Sequence, residues 1–320
     1  MSFSVVILAA GMGTRMKSKL PKVLHEAAGR PLVEHVVRSV QPLNPEKIIL
    51  VIGNGAEHVR ARMQQLPVEF VLQEKQLGTG HALMQTENVL KNMQGDVMVL
   101  NGDGPLLKTE TLARLLETQQ GQAGMTLITC NVSNPTGLGR IIRDGSGNIV
   151  NIIEEKDTTP EQKKITEINP GIYIFDKTVF EKANQLGNNN KAGEYYITDL
   201  PVHYLSAGSK VRSVLVNDET EVLGVNDRKH LSQIDKILQD RVREKWLVAG
   251  VTMISPESNF IDDTVEIGQD VVLEPGVILK GGTVVGEGSR LGAYSYLTDC
   301  SLAAHTSVPP HTVKQSEHLQ

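Results

Sequence analysis

The tail of the chain repeats every six residues. Ile261, Ile267, Leu273, Leu279, Val285, Leu291 and Leu297 recur at that interval, and four residues beyond each stand Val265, Val271, Val277, Thr283, Ser289, Ser295 and Ser301. A large aliphatic side chain followed by a small one, seven times in register, suits a left-handed parallel β-helix, in which each triangular coil uses three such faces. Chance alternation in an antiparallel sheet imitates two or three hexads, not seven. Residues 251–320 are therefore expected to form a short left-handed parallel β-helix, with the pattern closing near Val308, ahead of Pro309-Pro310 and a polar stretch.

Ahead of the repeat, short runs rich in Val and Ile alternate with stretches of helical period, the pattern of an α/β domain with a mostly parallel sheet and covering helices. Strands are predicted at 4–10, 47–52, 68–72, 96–100 and 125–132. Helices are predicted at 31–40, 80–90 and 109–118. From Gly139 to Tyr204 the texture turns to mixed strands and loops, with a hairpin around Asp144-Gly145-Ser146-Gly147, and this stretch reads as an insertion that covers substrate. Leu231, Ile234, Leu238, Val242 and Trp246 lie three or four apart, so 228–248 should be one amphipathic helix joining two domains. The expected division is residues 1–228, a linker helix at 229–250, and the β-helix.

A chain of 320 residues is long enough for two cores. Its net charge of −5 gives no basic field for nucleic acid or a membrane surface. Cys130 and Cys300 are too few for a disulfide framework, the N-terminus lacks a basic leader, and the apolar runs are too short to span a bilayer. A cytoplasmic protein acting on small molecules is the expectation.

Chemistry concentrates after the first strand, in Leu8-Ala9-Ala10-Gly11-Met12-Gly13-Thr14-Arg15-Met16. A glycine loop at the carboxyl end of a parallel strand turns its amides towards an anion, and Arg15 can fork onto phosphate oxygens. Met16 at the third glycine position removes a dinucleotide fingerprint, and the missing Gly-Lys-Ser/Thr removes a Walker loop. Asp103, in Asn101-Gly102-Asp103, falls just past the strand at 96–100 and so at the binding edge of the sheet. A lone carboxylate with one further ligand suits magnesium, which takes its remaining oxygens from phosphates and water.

The loop, followed by Pro21-Lys22, resembles the signature of sugar-1-phosphate nucleotidyltransferases, and the resemblance extends to about Arg228. Gln76-Leu77-Gly78-Thr79-Gly80-His81-Ala82, Glu155-Lys156-Asp157, Glu167-Ile168-Asn169 and Gly193-Glu194-Tyr195-Tyr196-Ile197-Thr198-Asp199 are similar to the N-acetylglucosamine-1-phosphate uridylyltransferase branch, and the hexapeptide tail agrees. The resemblance implies a Rossmann-like nucleotidyltransferase domain that joins UTP to N-acetylglucosamine-1-phosphate with Mg2+ and releases pyrophosphate. It implies that Arg15 holds the departing phosphates and Lys22 reaches the reacting ones. Leu8, Ala9, Ala10, Gly11, Gly13, Lys22, Gln73, Gly78 and Thr79 would bind the nucleotide, with Gln73 and the Gly78-Thr79 turn reading uracil. Asn101, Gly102, Gly139, Glu154, Asn169 and Asn226 would meet the sugar, and Asp103 with Asn226 the metal. Glu155 competes with Glu154, and Asp227 with Asn226. Asn101 stands where many relatives carry an aromatic or aliphatic residue, and Pro170 where they usually carry a small one, so the sugar loop should be stiffened.

No base is needed to ionise a sugar phosphate, so His81 is expected to pack at a helix start and His25 in its loop, neither of them catalytic. Long members of the branch also carry acetyl transfer on a longer β-helix; here the repeat closes early, and that activity is not expected. Hexapeptide β-helices commonly trimerise, which makes a homotrimer the expected assembly. The competing readings are the same chemistry on another sugar phosphate or with dTTP, a non-catalytic nucleotide-sugar-sensing assembly subunit, and a metal-dependent glycosyltransferase.

Overall fold

The computed structural model describes residues 2–92 and 94–319. The chain forms two compact units, residues 1–24 with 32–227, and residues 25–31 with 228–320. The helix Arg228–Val248 therefore groups with the repeat, as does the short 25–31 segment.

The first unit is built on a ten-stranded sheet. Its first strand, Phe3–Leu8, lies between Ile48–Ile52 and Asp96–Asn101, parallel to both, and Glu69–Leu72 adds a further parallel strand outside Ile48–Ile52. Phe3, Val5, Val6 and Ile7 are all buried, because a strand covered on both faces has no water-facing side and needs an unbroken apolar run. The helix Leu32–Val40 covers this region by burying Leu32, Val33, Val36, Val37 and Val40 on one stripe.

Beyond Asp96–Asn101 the pairing changes. Tyr173–Phe175 runs antiparallel between Asp96–Asn101 and Gly124–Asn131, and Glu167–Asn169, Gly139–Arg143 and Ile149–Ile153 continue antiparallel outwards. Only Lys210–Val216, beside Gly124–Asn131, returns to parallel pairing. The sheet is thus mixed, and parallel pairing prevails only on the side that carries the glycine loop. Apolar runs report burial and not strand direction, so of the antiparallel half only the hairpin at 144–147, which joins Gly139–Arg143 to Ile149–Ile153, was legible. The expected helix at 80–90 is two pieces, Thr79–Met84 and Glu87–Leu90. Between them the Thr86 hydroxyl donates to the Leu83 carbonyl at 2.7 Å, a local bond that competes with helix continuation.

In the second unit the hexads make three parallel four-stranded sheets, and successive strands of each sheet come from successive coils, an arrangement that fits the left-handed β-helix. Leu273, Leu279, Leu291 and Leu297 are fully buried, as are Thr283, Ser289 and Ser295 in the tight positions. The buried hydroxyls are satisfied by neighbouring coils: Thr283 Oγ1 accepts the Cys300 amide at 3.3 Å and Ser289 Oγ the Thr306 amide at 3.1 Å. One expectation fails here. After Leu297 the repeat slips by one residue, so that Cys300 and Leu302 are buried and Ser301 faces out. The corner at Asp299 is one residue shorter than the Gly281-Gly282 corner on the coil before it, and Ser301 accordingly pairs with Val284. The helix Arg228–Val248 buries Ile234, Leu238, Val242 and Trp246; Gln239 accepts the Ile261 amide at 3.0 Å and Arg243 donates to the Asn259 carbonyl at 2.9 Å. No helix of the described residues is long and apolar enough to cross a membrane.

Candidate active site

Three parallel strands end together at the edge where the glycine loop begins. The Ala9 amide donates to Val51 O and the Gly102 amide to Leu8 O, both at 2.9 Å, so the loops that follow adjacent strands are tied to one another. Ligands of open α/β sheets sit at this carboxyl edge. Gly13 has φ of 60°, and a Cβ there would stand 2.7 Å from Lys22 Cβ, so only glycine permits both the left-handed turn and the approach of Lys22. A Cβ on Gly11 would meet nothing within 4 Å, which leaves that stretch of backbone open to an incoming group.

Two cations and two oxygen donors converge beyond the loop. The Lys22 ammonium pairs with the Asp103 carboxylate, and the Arg15 guanidinium donates to Asn226 Oδ1 at 2.7 Å. Asn226 is brought there because the neighbouring Val225 amide donates to the Asp103 carbonyl at 2.9 Å. Among the described residues no cluster of three or more His, Cys, Asp or Glu could hold a metal unaided. Asp103 and Asn226 offer hard oxygens already engaged by positive groups, a donor set that fits magnesium when phosphates complete the shell.

These residues line two adjoining cavities. The larger, about 340 Å³, is walled by Leu8, Ala9, Ala10, Gly11, Lys22, Gln73 and Gly78. The other, about 230 Å³, is walled by Arg15, Gly139, Glu154, Asn169, Pro170 and Asn226. Thr79, Asn101 and Asp103 belong to both walls. Gly13 and Gly102 line neither cavity.

In the larger cavity Gln73 is buried, and its Nε2 lies 3.1 Å from Gly78 O. Gly78 has φ of 108°, and a Cβ on it would stand 2.5 Å from Tyr195 O. The segment 195–197 straps this turn: the Gly80 amide donates to Tyr195 O at 2.8 Å, and the Ile197 amide to Thr79 Oγ1 at 3.1 Å.

In the smaller cavity Glu154 Oε1 accepts from the Thr198 hydroxyl at 3.1 Å. Burial pushes the Glu154 carboxyl above its ordinary range; the Thr198 bond opposes that rise, and the nearby Asp199, Asp157 and Glu194 charges reinforce it. Asn169 donates to the Tyr173 hydroxyl at 2.6 Å and accepts the Gly171 amide at 3.2 Å. Glu155 turns away to pair with buried Arg140 at 2.6 Å, which leaves Glu154 as the carboxylate in the wall. The two unusual residues of the sequence meet: Asn101 Nδ2 donates to Pro170 O at 3.1 Å.

Gln76, Glu194 and Thr198, for which no role was expected, also line these cavities. Each stands inside a motif that was singled out, and that was the only signal available.

The MobA-like NTP transferase domain family matches residues 5–204, and the bacterial transferase hexapeptide family (six repeats) matches residues 264–312. The bifunctional protein GlmU of Lactobacillus johnsonii is 47% identical over 272 residues, which cover 84% of this chain and 59% of that protein. The bifunctional proteins GlmU of Halalkalibacterium halodurans and Syntrophotalea carbinolica are each 43% identical, over 314 and 318 residues; these cover 98% and 99% of this chain, and 69% and 68% of the relatives. The chain thus spans roughly three fifths to two thirds of the length of these relatives. With a nucleotidyltransferase unit ahead of hexapeptide coils, and this identity along nearly its whole length, the chain belongs to the GlmU family.

Proposed function

We propose that this chain transfers a uridylyl group from UTP to N-acetylglucosamine-1-phosphate, giving UDP-N-acetylglucosamine and pyrophosphate. The observation that carries the reading is the pair of cavities joined at Thr79, Asn101 and Asp103, with a cation from the glycine-loop region in each wall, Lys22 in one and Arg15 in the other. Two anionic substrates must be held head to head, and charge neutralisation on both sides of the α-phosphorus serves that need.

A phosphate oxygen of the sugar phosphate attacks the α-phosphorus, the bond from that phosphorus to the bridging β-oxygen breaks, and its electrons leave with pyrophosphate. The attacking oxygen is already ionised, so no proton is removed and no histidine is needed. Lys22 stabilises charge on the reacting phosphates and Arg15 on the departing ones. Gln73 and the Gly78-Thr79 turn hold the base, while Glu154 and Asn169 hold sugar hydroxyls. Asp103 and Asn226 would hold Mg2+, which when bound neutralises phosphate charge.

The test is pyrophosphate release across UTP, dTTP, ATP and GTP against N-acetylglucosamine-1-phosphate, glucose-1-phosphate and glucosamine-1-phosphate, each with and without magnesium. Turnover confined to UTP with N-acetylglucosamine-1-phosphate supports the reading. A preference for glucose-1-phosphate would trace to the Asn101–Pro170 contact in the sugar wall, and no turnover with any pair would favour a nucleotide-sugar-sensing subunit. A homotrimer joined through the β-helix goes with the same reading, as does a cytoplasmic setting for two free, buried cysteines.

A further inference from the structure

We propose that His81, with its ring proton on Nε2, is a positioning residue that fixes the polarity of the Gln73 side-chain amide and thereby sets the preference for uracil over cytosine. The proposal rests on the nucleotide cavity being the UTP site.

Gly78 O can only accept, so the side-chain atom of Gln73 that faces it at 3.1 Å must be the nitrogen. The same nitrogen lies 3.0 Å from His81 Nδ1. One N–H goes to Gly78, and the other points at the ring. Nδ1 must therefore accept, which leaves the proton on Nε2. Gln85 Nε2 lies 3.3 Å from His81 Nε2 and donates to the His81 carbonyl at 3.4 Å; both contacts are longer than the two made by Gln73, and an Nε2–H ring is met by Gln85 Oε1 only after a half-turn of that amide, at the cost of its bond to the carbonyl. Burial lowers the His81 pKa, which favours the neutral ring that the geometry requires.

With both of its N–H groups committed, Gln73 has only Oε1 left for a ligand, and Gln73 is part of the wall of the larger cavity. An amide oxygen accepts the N3–H of uracil and opposes the bare N3 of cytosine. The strap at 195–197 holds the Thr79–Met84 helix at its first turn, and the Tyr195 ring lies 6.3 Å from the His81 ring, so the lock stands on a fixed support. His81 lines neither cavity and meets the ligand site only through Gln73, so its influence belongs in nucleotide binding rather than in turnover.

The experiment compares the wild type with His81→Leu, which removes the acceptor, and His81→Asn, which can return an oxygen to the place of Nδ1. UTP and CTP binding are measured calorimetrically without sugar phosphate, kcat and KM are measured for both nucleotides, and nitrogen NMR reads the tautomer of His81 in the wild type. The expected result is an Nε2–H tautomer. His81→Leu should raise the KM for UTP with kcat nearly unchanged and lower the UTP-to-CTP preference by on the order of fivefold to tenfold, the scale of one lost hydrogen bond. His81→Asn should retain most of that preference. A proton on Nδ1, or an unchanged preference in a folded His81→Leu protein, overturns the proposal. UTP preference in binding without any uridylyl transfer would sink the proposed reaction and leave the role of His81 standing.

Discussion

Asp103 meets the Lys22 ammonium directly, so the residue read as a metal ligand also anchors the cation read as a phosphate contact. Asp103→Ala is expected to keep the fold and to lower magnesium-dependent turnover by about 10²–10³-fold, the scale of losing one preorganised electrostatic contact; kcat beside a thermal melt reads both. Normal rates would remove Asp103 from the mechanism. Glu154 makes a pH-dependent case. Because burial raises its carboxyl pKa in the fold, the folded state keeps the proton longer than the unfolded chain does. Ionisation therefore works against folding as pH rises from the unfolded value through the raised folded one. Glu154→Gln should melt higher than the wild type at neutral pH, with the gain shrinking below the ordinary carboxylate range, and should bind sugar phosphate less tightly. An equal gain at both pH values would contradict this account of Glu154. Arg15, Lys22 and Asp103 were legible because each sits in or beside a motif whose local geometry is stereotyped. Thr198 and Glu194 were not, because the motif that holds them fixes no local geometry and their place in the walls depends on a distant segment folding back.

Among the elements, the hexads were legible as a class and mistaken in one register. The period identified the inward slots up to Leu297, but a corner shortened by one residue at Asp299 exchanges inside and outside, and the alternation of Ser, Leu and Cys there carries no mark of it. The slip yields a paired test by chemical denaturation. Ser301→Leu, on an exposed site, should change stability by no more than about 0.5 kcal/mol. Cys300→Leu, overfilling a buried slot, should cost about 1–3 kcal/mol. The reverse order would restore the unbroken hexad. In the sheet, strands such as Phe3–Leu8 were legible from continuous apolar runs and the Gly139–Arg143 hairpin from its turn residues, whereas Tyr173–Phe175, three residues long, is too short for any periodicity to show, and with it went the switch to antiparallel pairing.

For the whole molecule, the repeat suggests how copies associate. Phe260, Ile278, Tyr296 and Val313 are partners along one sheet of the β-helix, and Phe260 and Val313 are 49% and 72% exposed, an apolar row that a homotrimer would cover. Light scattering should give three times the chain mass of 34.9 kDa, and Phe260→Asp with Val313→Asp should lower it to one. A monomeric wild type would refute the trimer.

In the proposed reaction the sugar phosphate itself attacks the α-phosphorus of UTP. This is tested most directly by supplying N-acetylglucosamine-1-phosphate with its non-bridging phosphate oxygens labelled with heavy oxygen and weighing the products. All of the label should appear in UDP-N-acetylglucosamine and none in pyrophosphate. Label in pyrophosphate or in free phosphate, or no nucleotide sugar at all, would contradict it.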